Sequence, residues 1–391
     1  MNARAAHAVR LRGARAVTAA GDAPVLPGVA GTRFSAGVAE RAFDVDLRDH
    51  FVLPGLVNAH EHLQVNCVPP LREGAPFPNS YAWIDAFQAH FDEPAVKAAI
   101  ALPKALRLRH GALKNLLAGT TVVAHHDPWH AALDAADFPI GLLRGHGWSY
   151  ALAGPAFGPP VRESFSATPA DRPWLIHLAE GSDEVARGEL QSLDNLGCLA
   201  SNSVLVHGVG LSGADMDRVV ARGAAVVWCP VSNRSLLGVT LDPRRLAAAG
   251  CLALGSDSRL SGARDLLDEM HAVRDVLPAA TLLGLATCDA ARILRLHGHG
   301  ALAVGAQADF IVVTDRGGEP TSALDGLRRA DLRAVVRGGM PCVADPDFAD
   351  WFEAAGVDAV AVMLDGRPKL VDARLADDAL MALEPGFERV H

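Results

Sequence analysis

Four apolar runs recur within residues 174–257, namely WLIHL (174–178), SVLVHG (203–208), AAVVWCP (224–230) and CLALGSD (251–257). The segments between them, such as DEVARGELQSLDNLG (183–197) and SGADMDRVVARG (212–223), have the composition of helices. Apolar strands that alternate with helices predict a parallel sheet covered on both faces. The predicted strand ends at His177, His207, Pro230 and Asp257 lie 30, 23 and 27 residues apart, which suits one βα unit of a barrel of roughly 250 residues. The predicted fold class is therefore α/β, with a distorted (β/α)8 barrel.

Strand-rich segments lie on both sides of this region. Residues 1–53 read as short strands separated by turns, and RAVVRGGMPCVAD (333–345) and AVAVMLDGRPKLVDAR (359–374) read as hairpins. We expect both ends of the chain to pair into one small β-sandwich. The expected domains are residues 1–53 (first part of the sandwich), 54–300 (the barrel) and 301–391 (second part). The segment 147–173, rich in proline and glycine, predicts a shortened βα unit.

Composition excludes several classes of protein. A net charge of −9 over 391 residues argues against a nucleic-acid partner and against docking on an anionic membrane. The six cysteines are scattered without a C-x-x-C pair, which favours the reducing cytoplasm over a disulfide-bonded, secreted protein. No apolar run is long enough to span a membrane, and the start of the chain does not resemble a signal peptide.

Histidines and one aspartate stand at the ends of several predicted strands. LPGLVNAHEHLQ (53–64) places His60 and His62 two residues apart, and therefore on the same side of a strand. His177, His207 and Asp257 end later strands. Because the carboxyl ends of barrel strands meet at one mouth, these side chains predict a site for Zn²⁺ or a similar divalent ion.

These motifs resemble the amidohydrolase superfamily, and within it the branch of guanine, cytosine and S-adenosylhomocysteine deaminases. The resemblance rests on PGLVNAHEH (54–62), AGTTVV (118–123), HLAEG (177–181), VLVHGVGL (204–211), CPVSNRSLLG (229–238), LGSDS (254–258) and GAQADFIVVTD (305–315). It covers nearly the whole chain, but the fourth-strand element of that branch, similar to G-P-H-x-P-Y-T, is not found.

The resemblance implies one divalent metal, Zn²⁺ or alternatively Fe²⁺. His60, His62, His177 and Asp257 would hold the ion. Asp257 would also take a proton from the metal-activated water, while His207 would stabilise the charge that develops on the attacked group. Glu180 would carry a proton to the leaving nitrogen; otherwise it is a solvated carboxylate at a helix start.

Lysine usage argues against a two-metal site. A large branch of the superfamily bridges two metals with a carboxylated lysine on the fourth strand. This chain has no lysine between Lys114 and Lys369, so we expect a mononuclear centre.

Five residues near the strand ends are candidates for substrate contacts: Gln64, His126, Trp148, Asn233 and Arg259. For Trp148 the alternative is packing at the barrel rim, and for His126 it is hydrogen bonding there. Arg259 could bind a substrate carboxylate or pair with an acid such as Asp265. Segment 68–90, which carries proline and aromatic residues, is expected to form a long loop over the pocket or an interface patch.

The predicted function is hydrolytic deamination of a small planar nitrogen-containing molecule by a metal-activated water. Two alternatives are hydrolysis of a cyclic or linear amide, as in imidazolonepropionase-like relatives, and a non-catalytic scaffold of the same fold. The expected partner is a small-molecule substrate, and a homodimer is also predicted.

Overall fold

The computed structural model describes residues 8–23, 28–71, 75–153, 157–317 and 320–390. These residues form a distorted (β/α)8 barrel and a β-sandwich, as the sequence predicts. The bounds of the three domains and the homodimer stay predictions.

Short strands open the chain. They are β1 (Ala8–Arg12), β2 (Arg15–Thr18), β3 (Gly21–Ala23), β4 (Val29–Ala30), β5 (Arg33–Phe34), β6 (Phe43–Asp46) and β7 (His50–Pro54). One four-stranded sheet has the order β5-β4-β1-β6, while β2, β3 and β7 belong to a second sheet that the C-terminal strands complete.

Within the part of the chain that the structure describes, eight parallel strands build the barrel. They are β8 (Leu56–Glu61), β9 (Thr120–His125), β10 (Gly141–Leu142), β11 (Gly147–Ser149), β12 (Trp174–Leu178), β13 (Ser203–His207), β14 (Ala225–Trp228) and β15 (Leu252–Leu254). The ladders run β8-β9-β10 and β11-β12-β13-β14-β15. The barrel closes where the backbone N–H of Asp257 donates to the carbonyl of His60 at 3.1 Å, and that of His62 to Asp257 at 3.0 Å. Closure therefore brings two predicted ligand segments together.

Helices surround this sheet. They are α1 (Ser80–His90), α2 (Pro94–Ala101), α3 (Lys104–Leu117), α4 (Val161–Ala167), α5 (Glu184–Asn195), α6 (Gly213–Arg222), α7 (Pro230–Leu237), α8 (Arg244–Ala248), α9 (Leu266–Ala272), α10 (Ala279–Leu285) and α11 (Cys288–Ile293). Local chemistry sets their ends: Ser212 and Asp215 form a capping box at the start of α6, and Gly223 ends it with a left-handed φ of 68°.

The barrel is irregular between β10 and β11. Residues 143–146, all described, join these strands without a helix, and the two strands are only two and three residues long. The helix after β11, α4, has seven residues and buries none of them. Residues 154–156 of the predicted shortened unit lie outside the described residues. This is where the chain departs from a regular barrel.

Segment 68–90 is not the continuous loop that the sequence predicts. Its second half is α1, which starts where the Asn79 side chain accepts a hydrogen bond from the N–H of Ala82. Residues 72–74 of this segment lie outside the described residues. The expectation was wrong because a proline disfavours helical backbone only at the residue before it. The part of the segment that follows the last proline can therefore form a helix.

The C-terminal part completes the sandwich. It contains β16 (Phe310–Thr314), β17 (Ala334–Arg337), β18 (Met340–Ala344), α12 (Ala349–Ala355), β19 (Ala359–Leu364), β20 (Arg367–Asp372), α13 (Asp378–Leu383) and β21 (Phe387–Arg389). The second sheet has the order β21-β19-β20-β18-β17-β16-β7-β2-β3, so antiparallel pairing of β16 with β7 joins the two ends of the chain. Val9, Phe34 and Phe310 are among the residues of the sandwich core. Across the described ranges, we find no helix with the length and apolarity that a bilayer crossing requires.

Candidate metal centre and active site

Three imidazoles converge at the carboxyl ends of β8 and β12. The Nε2 atom of His177 lies 3.3 Å from Nε2 of His60 and 3.3 Å from Nε2 of His62. Oδ1 of Asp257 lies 3.6 Å from Nε2 of His60 and 3.7 Å from Nε2 of His62. The structure therefore brings all four predicted metal ligands to one point.

Two of these imidazoles are each oriented by a hydrogen bond from Nδ1, on the side of the ring away from the centre. Nδ1 of His62 lies 3.0 Å from Oδ2 of Asp127, and Nδ1 of His177 lies 2.8 Å from the carbonyl oxygen of Tyr150. Both partners are acceptors, so each Nδ1 carries the proton and each Nε2 presents a lone pair.

This arrangement fits a divalent ion. Lone pairs that face one another at 3.3 Å repel unless a cation lies between them. A tetrahedral ion with bonds of about 2.0–2.1 Å to imidazole nitrogen spaces its ligands at roughly 3.3–3.4 Å. The donor set and its spacing therefore suit a single Zn²⁺-like ion.

His126 lies beside this centre rather than in the cavity. Its Nδ1 is 3.4 Å from Nδ1 of His60, and its Nε2 is 3.0 Å from the carbonyl oxygen of Ser149. The ring also stacks on His177, with 4.4 Å between centroids. Because Nε2 is committed to a carbonyl, His126 accepts from His60 Nδ1 and orients that ligand. The structure does not place it as a substrate contact.

Asp257 is fixed from its other oxygen. The hydroxyls of Ser232 and Ser261 each donate to Oδ2 at 2.6 Å, which turns Oδ1 toward the imidazoles. The backbone of Asp257 has a φ of 59° and that of His207 a φ of 77°. Such left-handed conformations cost about 1–3 kcal/mol in residues other than glycine, and they cluster at functional sites.

Glu180 and His207 form a pair next to the centre. Oε1 of Glu180 lies 3.4 Å from Nε2 of His207, and Nδ1 of His207 lies 2.8 Å from Oδ1 of Asn233. Asn233 donates its amide to Thr240, so its oxygen accepts the Nδ1 proton. Burial raises the pKa of Glu180 above its ordinary value, although the His207 imidazole opposes the shift. The two groups can therefore share one proton.

A cavity of about 500 Å³ opens onto the centre. Beyond the metal ligands, its wall includes six aromatic side chains: Trp83, Phe87, Phe91, Trp148, Tyr150 and Phe157. Gln64 also lines it. Of the five predicted substrate contacts, Gln64 and Trp148 face the cavity, and His126, Asn233 and Arg259 are absent from its lining.

A family model described as "Amidohydrolase family" matches residues 161–367, more than half of the chain. The chain belongs to the amidohydrolase family. It is accordingly a hydrolase that acts on carbon–nitrogen bonds other than peptide bonds.

Three proteins illustrate what this amidohydrolase is similar to. A 5-methylthioadenosine/S-adenosylhomocysteine deaminase from Nitratidesulfovibrio vulgaris is 26% identical over 325 residues, covering 69% of this chain and 72% of that protein. A 5′-deoxyadenosine deaminase from Methanoregula boonei is 36% identical over 166 residues, 37% of each chain. The crystal structure of an adenosine deaminase from Xanthomonas campestris with bound zinc has a TM-score of 0.65 at 22% identity, covering 90% of this chain and 97% of that one. This last likeness concerns the fold.

Arg259 of the amidohydrolase points away from the cavity. Its guanidinium donates to both carboxylate oxygens of Glu384, at 2.8 and 2.6 Å. Asp265, the partner considered from the sequence, caps α9 instead and accepts from Arg264. The expectation that Arg259 reads a substrate carboxylate is wrong for this conformation, because a buried acid from the C-terminal part already occupies it.

Glu61, between the two histidine ligands, was missed as a functional support. Its carboxylate is fully buried and accepts from Lys114 at 2.7 Å, from Asn115 at 3.0 Å and from Ser256 at 2.9 Å. On a strand, the residue between two ligands points to the opposite side, and a charge there needs a partner. This alternation of side chains along the strand is the sequence signal from which the role of Glu61 could have been predicted. Lys114 therefore does not bridge two metals. It pairs with Glu61 on the opposite side of the strand from the two histidine ligands, and so stabilises that strand.

Proposed function

We propose that this amidohydrolase deaminates a small, planar, nucleoside-like amine by hydrolysis. One observation carries the proposal: three metal ligands, His62, His177 and Asp257, line the same cavity as the Glu180–His207 pair, and Nε2 of the fourth ligand, His60, lies 3.3 Å from that of His177. A site that places a cation, a proton carrier and a flat apolar wall together suits water attack on a ring carbon bearing an amino group. The 26% identical relative is named a deaminase of 5-methylthioadenosine and S-adenosylhomocysteine, which supports this reaction.

The metal is proposed to be Zn²⁺, held by His60, His62, His177 and Asp257. Such an ion supplies water activated at neutral pH and stabilises negative charge near the attacked carbon. Nitrogen and carboxylate donors also accept Fe²⁺, so the choice of zinc rests on donor spacing and on the bound zinc of the Xanthomonas campestris protein.

The protein's own groups manage the protons. Asp257 holds one oxygen toward the ligand atoms and can take a proton there, while its other oxygen stays with the two serine hydroxyls. Glu180, whose pKa burial raises, can hold that proton and deliver it to the leaving nitrogen. Asn233 orients His207 by accepting a hydrogen bond from its Nδ1. After Nε2 of His207 has received the proton that it shares with Glu180, it donates a hydrogen bond to the substrate group on which negative charge develops.

Substrate contacts are assigned to Gln64 and Trp148. Gln64 offers an amide to the polar edge of a ring, and Trp148 offers an apolar face for stacking. Asn233 and His126 are reassigned as positioning residues, for His207 and His60 respectively.

The experiment is a measurement of ammonia release by the purified, metal-loaded protein. The trial amines are adenosine, 5′-deoxyadenosine, 5-methylthioadenosine and S-adenosylhomocysteine, tested beside cyclic amides. We expect the native protein to release ammonia from at least one amine, and the Asp257→Asn variant to release none. Ring opening of a cyclic amide without ammonia release would favour the amide hydrolase, and absence of both activities and of bound metal would favour the scaffold.

A further inference from the structure

Helix α1 contacts both the cavity and the turn that carries Glu180. One side of the helix, with Trp83, Ile84 and Phe87, lines the cavity. At its start, the N–H of Ser80 donates to the carbonyl of Glu180 at 2.8 Å. Helix α1, which forms part of the cavity wall, is therefore hydrogen-bonded to the backbone of Glu180, the proposed proton carrier.

The docking of these two segments is close. Asn79 pairs with Gly181 across a β-bridge, and a Cβ added to Gly181 would lie 2.7 Å from Cβ of Asn79 and 2.7 Å from the carbonyl oxygen of Pro78. The Asn79 amide also donates to Asp183 at 2.6 Å. Only glycine allows this approach, so the segment after Glu180 is shaped to receive the start of α1.

Glu189, on α5, connects the same two segments by its side chain. One carboxylate oxygen accepts the N–H of Ala179 at 2.6 Å, and the other accepts the hydroxyl of Tyr81. The Tyr81 oxygen in turn accepts the N–H of Ala153 at 3.2 Å. The Glu189 side chain is buried and belongs to neither the metal centre nor the cavity wall.

Ala179 is the residue that needs this support. It lies between the ligand His177 and Glu180, and its φ is 53°. An L-residue other than glycine holds this conformation only where its surroundings fix it. The Glu189 carboxylate bonds the N–H of that residue, and so determines the direction in which the chain leaves for Glu180.

We propose that Glu189 and Tyr81 are positioning residues that hold Glu180 in its reactive place and link that place to α1. This inference rests on the proposed function, since it concerns the group that delivers the proton. Glu189 fixes the left-handed turn before Glu180, and Tyr81 ties the turn to the helix that bounds the cavity. Occupation of the cavity against α1 is thereby coupled to the position of the proton carrier.

The test uses Tyr81→Phe and Glu189→Gln in the metal-loaded, full-length protein. Tyr81→Phe keeps the ring and removes the two bonds of the hydroxyl, to Glu189 and from Ala153, while Glu189→Gln weakens the two bonds of the carboxylate. The matched control is Glu184→Gln, the same change on the same helix at an exposed carboxylate. We expect kcat to fall about tenfold or more for both test variants, because small displacements of a reacting group are costly, with KM, metal content and Tm close to those of the control.

A double-mutant cycle distinguishes positioning from general structural support. In a Glu180→Gln background, Tyr81→Phe should cause no further loss of kcat, because its effect acts through Glu180. An equal fold-loss in both backgrounds, a loss that follows metal content or Tm, or native kcat in Tyr81→Phe would each overturn the inference. Failure of the native chain to release ammonia from any trial amine would instead overturn the proposed function. Tyr81→Phe keeps the test decisive if Glu189→Gln does not fold.

Discussion

Oδ2 of Asp127 lies 3.0 Å from Nδ1 of His62. Asp127 follows β9, whereas His62 follows β8, so the bond joins the ends of two neighbouring strands. The carboxylate fixes the tautomer of the imidazole and turns its Nε2 toward His60 and His177. The strand order of the barrel therefore places a ligand and its orienting partner side by side.

Removal of this partner is predicted to weaken metal binding. Asp127→Ala should raise the apparent Kd for Zn²⁺ by about 10- to 100-fold, because an unsupported imidazole is a less ordered and less basic ligand. The measurement is competition with a chromogenic chelator. Asp134→Ala, which removes an exposed carboxylate nearby, is the control, and an unchanged Kd in Asp127→Ala would contradict the assigned role.

Glu180→Gln is predicted to separate catalysis from metal binding. Glutamine keeps the size of the side chain but cannot carry a proton, so kcat should fall by about 10²- to 10⁴-fold. Metal content should stay near one ion per chain, since Glu180 is not among the four ligands. His60→Ala should lose both metal and turnover. Loss of the ion from Glu180→Gln would place this carboxylate in the metal centre and refute its proposed role.

Much of the site could be predicted because strand ends are visible in sequence. His60, His62, His177, His207 and Asp257 each follow an apolar run, and parallel strands bring such positions to one mouth. The position of Arg259 could not be predicted in this way. Its partner Glu384 lies 125 residues later, after α13, and no periodicity connects residues that meet only when the C-terminal part packs on the barrel.

That contact leads to a prediction about stability. Glu384 is fully buried and accepts hydrogen bonds from Arg259, from Arg329 and from His110 at 2.9 Å. Glu384→Gln should lower the free energy of unfolding by about 3–5 kcal/mol, because it removes the carboxylate that pairs with Arg259 and one of the two carboxylates that pair with Arg329. Denaturant unfolding measures this, with the exposed Glu388→Gln as control. If Glu384→Gln changes the free energy of unfolding no more than Glu388→Gln does, the stabilising role of Glu384 is contradicted.

The same carboxylate predicts the direction of the pH dependence. Although burial acts in the opposite sense, His110, Arg259 and Arg329 hold the pKa of Glu384 well below its ordinary value. A lowered pKa in the folded state stabilises the protein above the ordinary carboxyl range and loses that contribution as pH falls through and below it. The native chain should therefore lose more stability below about pH 4 than Glu384→Gln does.

The aromatic wall predicts which substrates bind well. The ring of Trp83 stacks on Phe87 with centroids 5.4 Å apart, and both line the cavity. Trp83→Ala should raise KM about tenfold for an amine with an apolar substituent, because burial of such a group is worth roughly 1–3 kcal/mol. Comparison of 5-methylthioadenosine with adenosine isolates this contribution. Trp129→Ala, at an exposed tryptophan outside this cavity, is the control. If both substrates lose equal affinity in Trp83→Ala, the wall supports the fold of α1 rather than recognition of the substituent.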